Sequence, residues 1–393
     1  MGRVVVSGAI ANKPWNGGAA WTRLCWLLGV RSLGFETFFI EQIDPSTGHD
    51  GVGPVELAAS DQVAFFRRVM GQFGLEDACA LVSTNGTTVV GPSPAELEAI
   101  AAEADLLINI SGHLRMPRLR SRFRRAVYVD LDPGYTQFWQ SEGRDVGLSG
   151  HDEFYTVGAN IGTARCGIPT CGINWRAVRQ PVVLDQWPLQ PAPMAPRFTT
   201  IASWRGPYGV IERGDIRLGP KAHEFRRFLE LPSLVGAQFE IALEMHAGDA
   251  KDRTALETAG WIVSDPRQVV ADPLAFRAFV QDSAAEFSVA QGMYVHTASG
   301  WVSDRTVRYL ASGRPALVQD TGLCAELRTE KGLVTFRTLD EAAAGATAIL
   351  QDYPAHRAAA RELAERFFTP ARVLADVVGV GARSARAGAL EGV

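Results

Sequence analysis

The sequence predicts an α/β protein built from two doubly wound domains. Strand patterns alternate with helix patterns along both halves of the chain, which is typical of parallel sheets covered by helices. A segment with five prolines, residues 180–197, interrupts this alternation and cannot form a regular helix. The chain of 393 residues is also too long for one small core, and its length suits two domains.

The N-terminal half opens on a buried strand, a glycine-containing loop and a helix, which is the start of a βα unit. Leu24, Leu27 and Leu28 recur at helical spacing in that first helix. Further apolar runs continue the alternation. The predicted strands are residues 4–6, 36–40, 78–82, 87–90, 105–110, 126–130 and 152–157, the last strand of this half, and the predicted helices are 19–33, 60–73 and 94–103.

The alternation begins again after the proline-rich segment. The predicted strands are residues 198–202, 239–244, 260–263, 286–290 and 316–319. One predicted helix begins at residue 219, and another ends at the break at 312–313. The remaining predicted helices are residues 276–281, 340–350, 355–367 and 370–378. We therefore expect an N-terminal domain over residues 1–180, a linker over 181–197 and a C-terminal domain over 198–369.

Composition narrows the class of protein. The formal net charge of -4 gives no sign of a nucleic-acid groove, so no nucleic-acid partner is expected. The five cysteines are odd in number and scattered, which favours reduced thiols in a cytoplasmic protein over a disulfide framework or a zinc site. No apolar run is long enough to span a membrane. The first loop lacks the GxGxxG dinucleotide fingerprint, so no NAD-type cofactor is expected.

The stretch over residues 297–323 is the strongest local signal. Small and polar residues lead into a helix, with Ser303 as the expected N-cap and Asp304 in the first turn. A buried parallel strand follows the helix. Free N–H groups and the positive end of the helix dipole would meet at this helix start, which predicts an anion site.

This stretch resembles the phosphate- and ribose-binding helix of GT-B-fold glycosyltransferases, including the strand entry ASGRP at residues 311–315. The resemblance implies two Rossmann-like domains that face each other across a cleft, with a C-terminal helix over 370–385 packing back on the first domain. It implies that Asp304 binds the ribose and that Arg205 and Lys221 bind the donor phosphates. The main-chain N–H groups expected near the diphosphate are those of Ser299, Gly300, Trp301, Val302 and Ser303.

Several residues of the N-terminal half fall at loops that would face the cleft. Gly17 and Gly18 would let the main chain approach the donor, although a tight turn explains the pair equally well. His113 and Asp132 each follow a predicted strand and are the candidate catalytic groups. Asp132 also completes a DxD pattern, but GT-B enzymes usually need no metal, so no metal site is expected. The candidate acceptor-binding residues are Trp15, Tyr135 and Trp139.

The predicted function is metal-independent transfer of a sugar, a hexose or a deoxysugar, from a nucleoside diphosphate to a hydroxyl acceptor. Two alternatives of the same fold stay open: a nucleotide-sugar epimerase and a non-catalytic nucleotide-sugar or small-molecule binding protein. The aromatic residues suit a flat acceptor such as a secondary metabolite, while a saccharide or lipid-linked acceptor also stays open. The sequence does not choose between retention and inversion, or between a monomer and a homodimer.

Overall fold

The structure is a computed structural model that describes residues 2–50, 52–213, 216–328 and 330–379. Its N-terminal half forms one eight-stranded sheet in the order β4-β3-β2-β1-β5-β6-β7-β8. Neighbouring strands are parallel except for the antiparallel pair β3 and β4. The strands are β1 Arg3–Ser7, β2 Glu36–Ile43, β3 Cys79–Ser83, β4 Thr88–Val90, β5 Leu106–Ile110, β6 Ala126–Asp130, β7 Glu153–Thr156 and β8 Trp175–Ala177.

The C-terminal half forms a second, six-stranded parallel sheet in the order β13-β12-β9-β14-β15-β16. A short antiparallel hairpin, β10 and β11, is inserted after the first strand of this half. The strands are β9 Arg197–Ser203, β10 Ile211–Arg213, β11 Ile216–Leu218, β12 Gln238–Glu244, β13 Trp261–Ser264, β14 Ala285–Ser288, β15 Ala316–Gln319 and β16 Leu333–Phe336.

Helices fill most of the connections between parallel strands, as crossover connections require. The helices are α1 Gly17–Ser32, α2 Asp61–Gln72, α3 Pro94–Glu103, α4 Pro117–Arg120, α5 Tyr135–Ser141, α6 Lys221–Phe225, α7 Leu231–Leu234, α8 Ala250–Thr258, α9 Pro266–Val269, α10 Pro273–Gln281, α11 Gly292–His296, α12 Asp304–Ala311, α13 Leu339–Gln351, α14 Tyr353–Phe367, α15 Pro370–Val373 and α16 Ala375–Val378. Among the described residues, none of these helices combines the length and the apolar character that a membrane crossing needs.

A continuous apolar core joins the two halves. Trp21 of α1 is fully buried, and its indole N–H donates to the carbonyl of Pro273 at the start of α10, 2.6 Å away. Trp187, from the proline-rich segment, packs against Trp21 with ring centroids 4.9 Å apart. The proline-rich segment therefore contributes to the core between the halves and does not simply cross the surface.

The sequence patterns missed or misplaced several elements. Strand 152–157 is not the last of its half, because β8 pairs with β7 beyond it. The hairpin, β16 and α8 were not predicted, since their short or mixed sequences carry little periodicity. The predicted helix over 370–378 is instead two single turns, α15 and α16, that bury Leu374 and Val377 in the core. Residues 380–385 of the predicted C-terminal helix lie outside the described residues.

Candidate active site

A cleft of about 770 Å³ lies between the two sheets. Its C-terminal wall comes from the carboxyl ends of β9, β12 and β13 and from the first turns of α12. Its N-terminal wall comes from the loop after β1 and the start of α1. Ligands in open α/β sheets bind at the carboxyl ends of the strands, so this cleft is the expected place for a substrate.

The start of α12 is built as the sequence predicted. The side chain of Ser303 caps the helix by accepting from the N–H of Arg305 at 3.2 Å. Asp304 lines the cleft, where it accepts from the hydroxyl of Thr22 at 2.5 Å and from Arg308 at 2.8 Å. Burial opposes ionisation of Asp304, but the charge of Arg308 and the bond from Thr22 outweigh it and lower the pKa of Asp304.

The loop that precedes α12 differs from the prediction. The N–H groups of Ser299, Gly300 and Trp301 already donate to groups of the same chain at 3.2, 2.7 and 3.3 Å. Asn160 from the N-terminal half donates to the carbonyl of Ala298 in this loop and to that of Gly322 after β15, which holds the loop against that half. These three N–H groups are therefore not free for a diphosphate. The two remaining candidates, Val302 and Ser303, line a separate small recess.

The glycine pair, which the structure places at the start of α1, makes a contact between the two halves. The N–H of Gly17 donates to the carbonyl of Val270 at 3.1 Å, and a Cβ at Gly17 would overlap the carbonyl of Asp272. A Cβ at Gly18 would come within 2.9 Å of the ring of Phe276. Gly18 also lines the cleft, whereas the N–H of Gly17 is occupied. Close packing of α1 on α10 is thus a sufficient reason for both glycines.

The basic pair assigned to the donor phosphates lies elsewhere. Arg205 forms a bidentate ion pair with Asp249 at 2.7 and 2.8 Å and lines a second pocket outside the cleft. The ammonium of Lys221 donates to the carbonyl of Val289, and burial together with the charge of Arg305 lowers the pKa of Lys221 to about 7. The order of these residues along the chain matched the expected layout, but their side chains are held by other partners.

His113 stands on a strained turn at the end of β5. Ser111 and Gly112 both adopt positive φ, 52° and 63°, and a Cβ at Gly112 would lie 2.8 Å from the ring of Tyr128. Burial, followed by the charges of Arg23 and Lys13, lowers the pKa of His113 to about 3. The imidazole is therefore neutral at neutral pH, which suits a hydrogen-bonding role better than that of a general base.

Asp132 follows β6 and is half-buried, with one carboxylate oxygen accepting from the hydroxyl of Tyr208 at 3.1 Å. Its electrostatic neighbours include Lys13 and Arg23, which are also neighbours of His113, so the two predicted catalytic residues lie near the same cations, although neither is among the residues that line the cleft. Asp130, the other acid of the DxD pattern, is buried. Its oxygens accept internal hydrogen bonds from Thr136, Gln137, Thr156 and the N–H of Asp132.

The three aromatic residues predicted to bind the acceptor do not form one surface, because the rings of Tyr135 and Trp139 lie 5.7 Å apart while Trp15 lies in the cleft. Tyr135 is fully buried and donates to Gln291 at 2.7 Å, so it cannot contact an acceptor. Trp139 is half-buried, with its ring 4.9 Å from that of Tyr208. Trp15 lines the cleft and has a positive φ of 61°.

Sequence reasoning missed Arg23 and Arg308, two arginines of the cleft. Arg23 is 6% exposed and Arg308 is 2% exposed, yet both line the cleft. Each also has a buried Nε atom without a hydrogen-bond partner. A charged residue inside the apolar run WTRLCWLL of α1 was the available signal for Arg23, because an isolated buried charge is costly.

No protein-family model matches this sequence, and no curated protein matches it. Solved structures do resemble the fold over nearly the whole chain. HepE from Anabaena in complex with UDP is 11% identical, with a TM-score of 0.58 over 98% of this chain and all of that chain. An α-glucosyltransferase in complex with UDP-glucose and DNA is 9% identical, with a TM-score of 0.59 over 96% of this chain and 98% of that chain.

A sucrose-phosphate synthase from Thermosynechococcus elongatus is 10% identical, with a TM-score of 0.53 over the whole of both chains. These proteins have two Rossmann-like domains facing a cleft. The chain adopts the GT-B fold. The predicted fold class is therefore confirmed, and the cleft described above is the interdomain cleft of the GT-B fold.

Proposed function

We propose that this GT-B chain is a glycosyltransferase that moves a sugar from a nucleoside diphosphate to a hydroxyl acceptor. The cleft at the carboxyl ends of both sheets carries the proposal, since it has the size and position of a nucleotide-sugar site. The similar structures support it, because two of those named above hold UDP or UDP-glucose. UDP is accordingly the first nucleotide to test.

The donor binds to the C-terminal wall in this proposal. The positive end of α12 and the guanidinium of Arg308 stabilise the charge that develops on the leaving diphosphate. Asp304, already ionised beside Arg308, exchanges its bond from Thr22 for a ribose hydroxyl. These groups replace a metal ion as the counter-charge, so transfer is metal-independent.

The acceptor binds to the N-terminal wall. Asp132 is the general base for the acceptor hydroxyl, because it is a half-buried carboxylate with one oxygen available beside the cleft cations. His113, whose imidazole is neutral and has no hydrogen-bond partner among the described residues, orients a sugar hydroxyl. Trp15 provides an apolar face at the mouth of the cleft.

The test combines binding with turnover. UDP at about 100 times its dissociation constant should stabilise the protein by ~2.7 kcal/mol in a thermal-shift assay, with the same shift in EDTA. Release of UDP from UDP-glucose and other UDP-sugars, with and without simple hydroxyl acceptors, should then be measured by coupled assay.

Each outcome has a definite meaning. Acceptor-dependent release of the nucleoside diphosphate supports the proposal. An epimerised sugar nucleotide would replace it with an epimerase, and tight binding without turnover would indicate a binding protein. Absence of binding by any nucleoside diphosphate or its sugar would overturn it.

A further inference from the structure

Arg23 is a buried cation with most of its hydrogen-bonding capacity unused. The residue is 6% exposed and lines the cleft. Among the described residues, the guanidinium makes one hydrogen bond, from Nη1 to the carbonyl of Ala19 at 3.2 Å, and its Nε has no partner. A guanidinium carries several N–H donors in a planar fork, and leaving them unsatisfied in a buried place costs free energy.

No carboxylate among the described residues forms an ion pair with this charge. Glu41, Asp132 and Asp304 all attract Arg23, but none forms an ion pair with it. Glu41 accepts the main-chain N–H groups of residues 10–12 at 2.8 Å each. Asp132 and Asp304 accept the bonds described above. Among the described residues, the guanidinium therefore faces the cleft without an acidic partner.

Lys13 lines the cleft together with Arg23, and its ammonium has no hydrogen-bond partner among the described residues. Lys13 is exposed, so water reaches its ammonium, while the nearby walls of the cleft and the repulsion of Arg23 lower the pKa of Lys13. Two like charges that line one cleft favour an anion between them.

The position of Arg23 is built into the fold. A Cβ at Gly8, the residue that follows β1, would lie 2.8 Å from Cγ of Arg23. Glycine at this position leaves room for the aliphatic part of the arginine beneath the first loop. The same loop carries Lys13, and the hydrogen bonds that its main chain donates to Glu41 fix its conformation.

We propose that Lys13 and Arg23 form an anion subsite that binds a carboxylate or phosphate of a substrate other than the donor diphosphate. The inference rests on the proposed function and names its substrate class. The C-terminal wall has its own counter-charges for the diphosphate in Arg308 and the start of α12. The anion on the opposite wall is an acidic group either of the transferred sugar or of the acceptor.

The first experiment measures binding without turnover. Inorganic phosphate is titrated calorimetrically into the whole protein saturated with UDP, and into Arg23→Met and Arg31→Met. Arg31 is the matched control, since it is an exposed arginine in the last turn of the same helix, away from the cleft and without an ion pair among the described residues. We expect phosphate to bind the wild type and Arg31→Met, and to bind Arg23→Met at least about tenfold more weakly, as for loss of a charged hydrogen bond.

Two results would overturn the subsite. Equal phosphate binding by Arg23→Met would show that Arg23 holds no anion. Loss of phosphate binding when UDP is added to the wild type would assign the cations to the donor diphosphate. If UDP does not bind at all, the proposed function fails, while phosphate titration without UDP still tests Arg23.

The second experiment distinguishes the two sources of the acidic group. UDP-glucuronic acid is compared with UDP-glucose, and glucose 6-phosphate is compared with glucose in the presence of UDP. We expect the acidic member of one pair to bind at least about tenfold more tightly than the neutral member, and Arg23→Met to abolish that preference. Equal affinities within both pairs would overturn the proposed substrate class.

Discussion

The two walls of the cleft differ in whether their positively charged side chains form ion pairs. On the C-terminal wall, Arg305 pairs with the fully buried Glu286 at 2.6 Å, and Arg308 pairs with Asp304 at 2.8 Å. On the N-terminal wall, Lys13 and Arg23 have no ion pair among the described residues. Both walls are lined by cations, so residue type alone does not separate them.

This difference in pairing distinguishes cations that stabilise the fold from cations whose charge is left for a ligand. A buried cation that is paired and hydrogen-bonded holds two elements together, as Arg305 of α12 does with β14. A buried cation without a partner lowers stability unless a ligand provides the missing charge. The contrast therefore predicts opposite consequences when an arginine is removed from each wall.

The largest expected effect concerns catalysis at the N-terminal wall. Asp132→Asn should lower kcat by about 100- to 10,000-fold, as loss of a general base does, while the fold stays intact. Steady-state kinetics with a UDP-sugar and circular dichroism check this. Asp130→Asn is the matched control: it disturbs a buried carboxylate with three side-chain donors and should mainly lower stability. A kcat within threefold of the wild type would exclude Asp132 as the base.

The next largest effect concerns Arg305, whose charge is paired on the C-terminal wall. Arg305→Met leaves Glu286 buried without its partner and should lower the free energy of unfolding by about 3–5 kcal/mol in urea titration. Arg253→Met on the same wall breaks only an exposed pair with Glu257 and should cost about 0.3–0.5 kcal/mol. Equal losses in the two variants would contradict the supporting role of Arg305.

A smaller effect concerns the loss of folding stability at acidic pH. His113 has a folded pKa of about 3, below its ordinary value near 6.5, so the unfolded chain binds the extra proton between these values. Stability must therefore fall as pH drops through this window. At pH 5, the wild type should have lost about 1–2 kcal/mol more than His113→Gln, relative to pH 8, in urea titration. Parallel profiles for both proteins would show that the imidazole is not desolvated.

The smallest effect has the opposite sign and concerns Arg23, which has no ion pair among the described residues. Arg23→Met replaces an uncompensated charge by an apolar side chain of similar length, so the ligand-free protein should gain about 1 kcal/mol in the free energy of unfolding. Urea titration alongside Arg305→Met gives the direct comparison. A loss of stability in both variants would mean that Arg23 supports the fold as Arg305 does.

The local patterns of this sequence predicted most of the fold. Regular alternation of apolar runs located β1, β5 and β6 and the helices between the long strands, because parallel strands buried on both faces read as continuous apolar segments. Ser303 and Asp304 marked the start of α12 correctly, since a cap depends on residues close in sequence. Short elements such as β8 and β16 carry too few residues to show a period.

The two-sheet architecture, the start of α12 and the chain positions of His113 and Asp132 could all be predicted from the sequence. Which side chains are bound by internal partners became visible only in the folded structure. Arg205 is paired with Asp249 and Tyr135 is buried, whereas Arg23 of an apolar helix faces the cleft. Pattern reasoning reads neighbours along the chain, but the availability of a charge depends on partners that are distant in sequence and meet only in the folded protein.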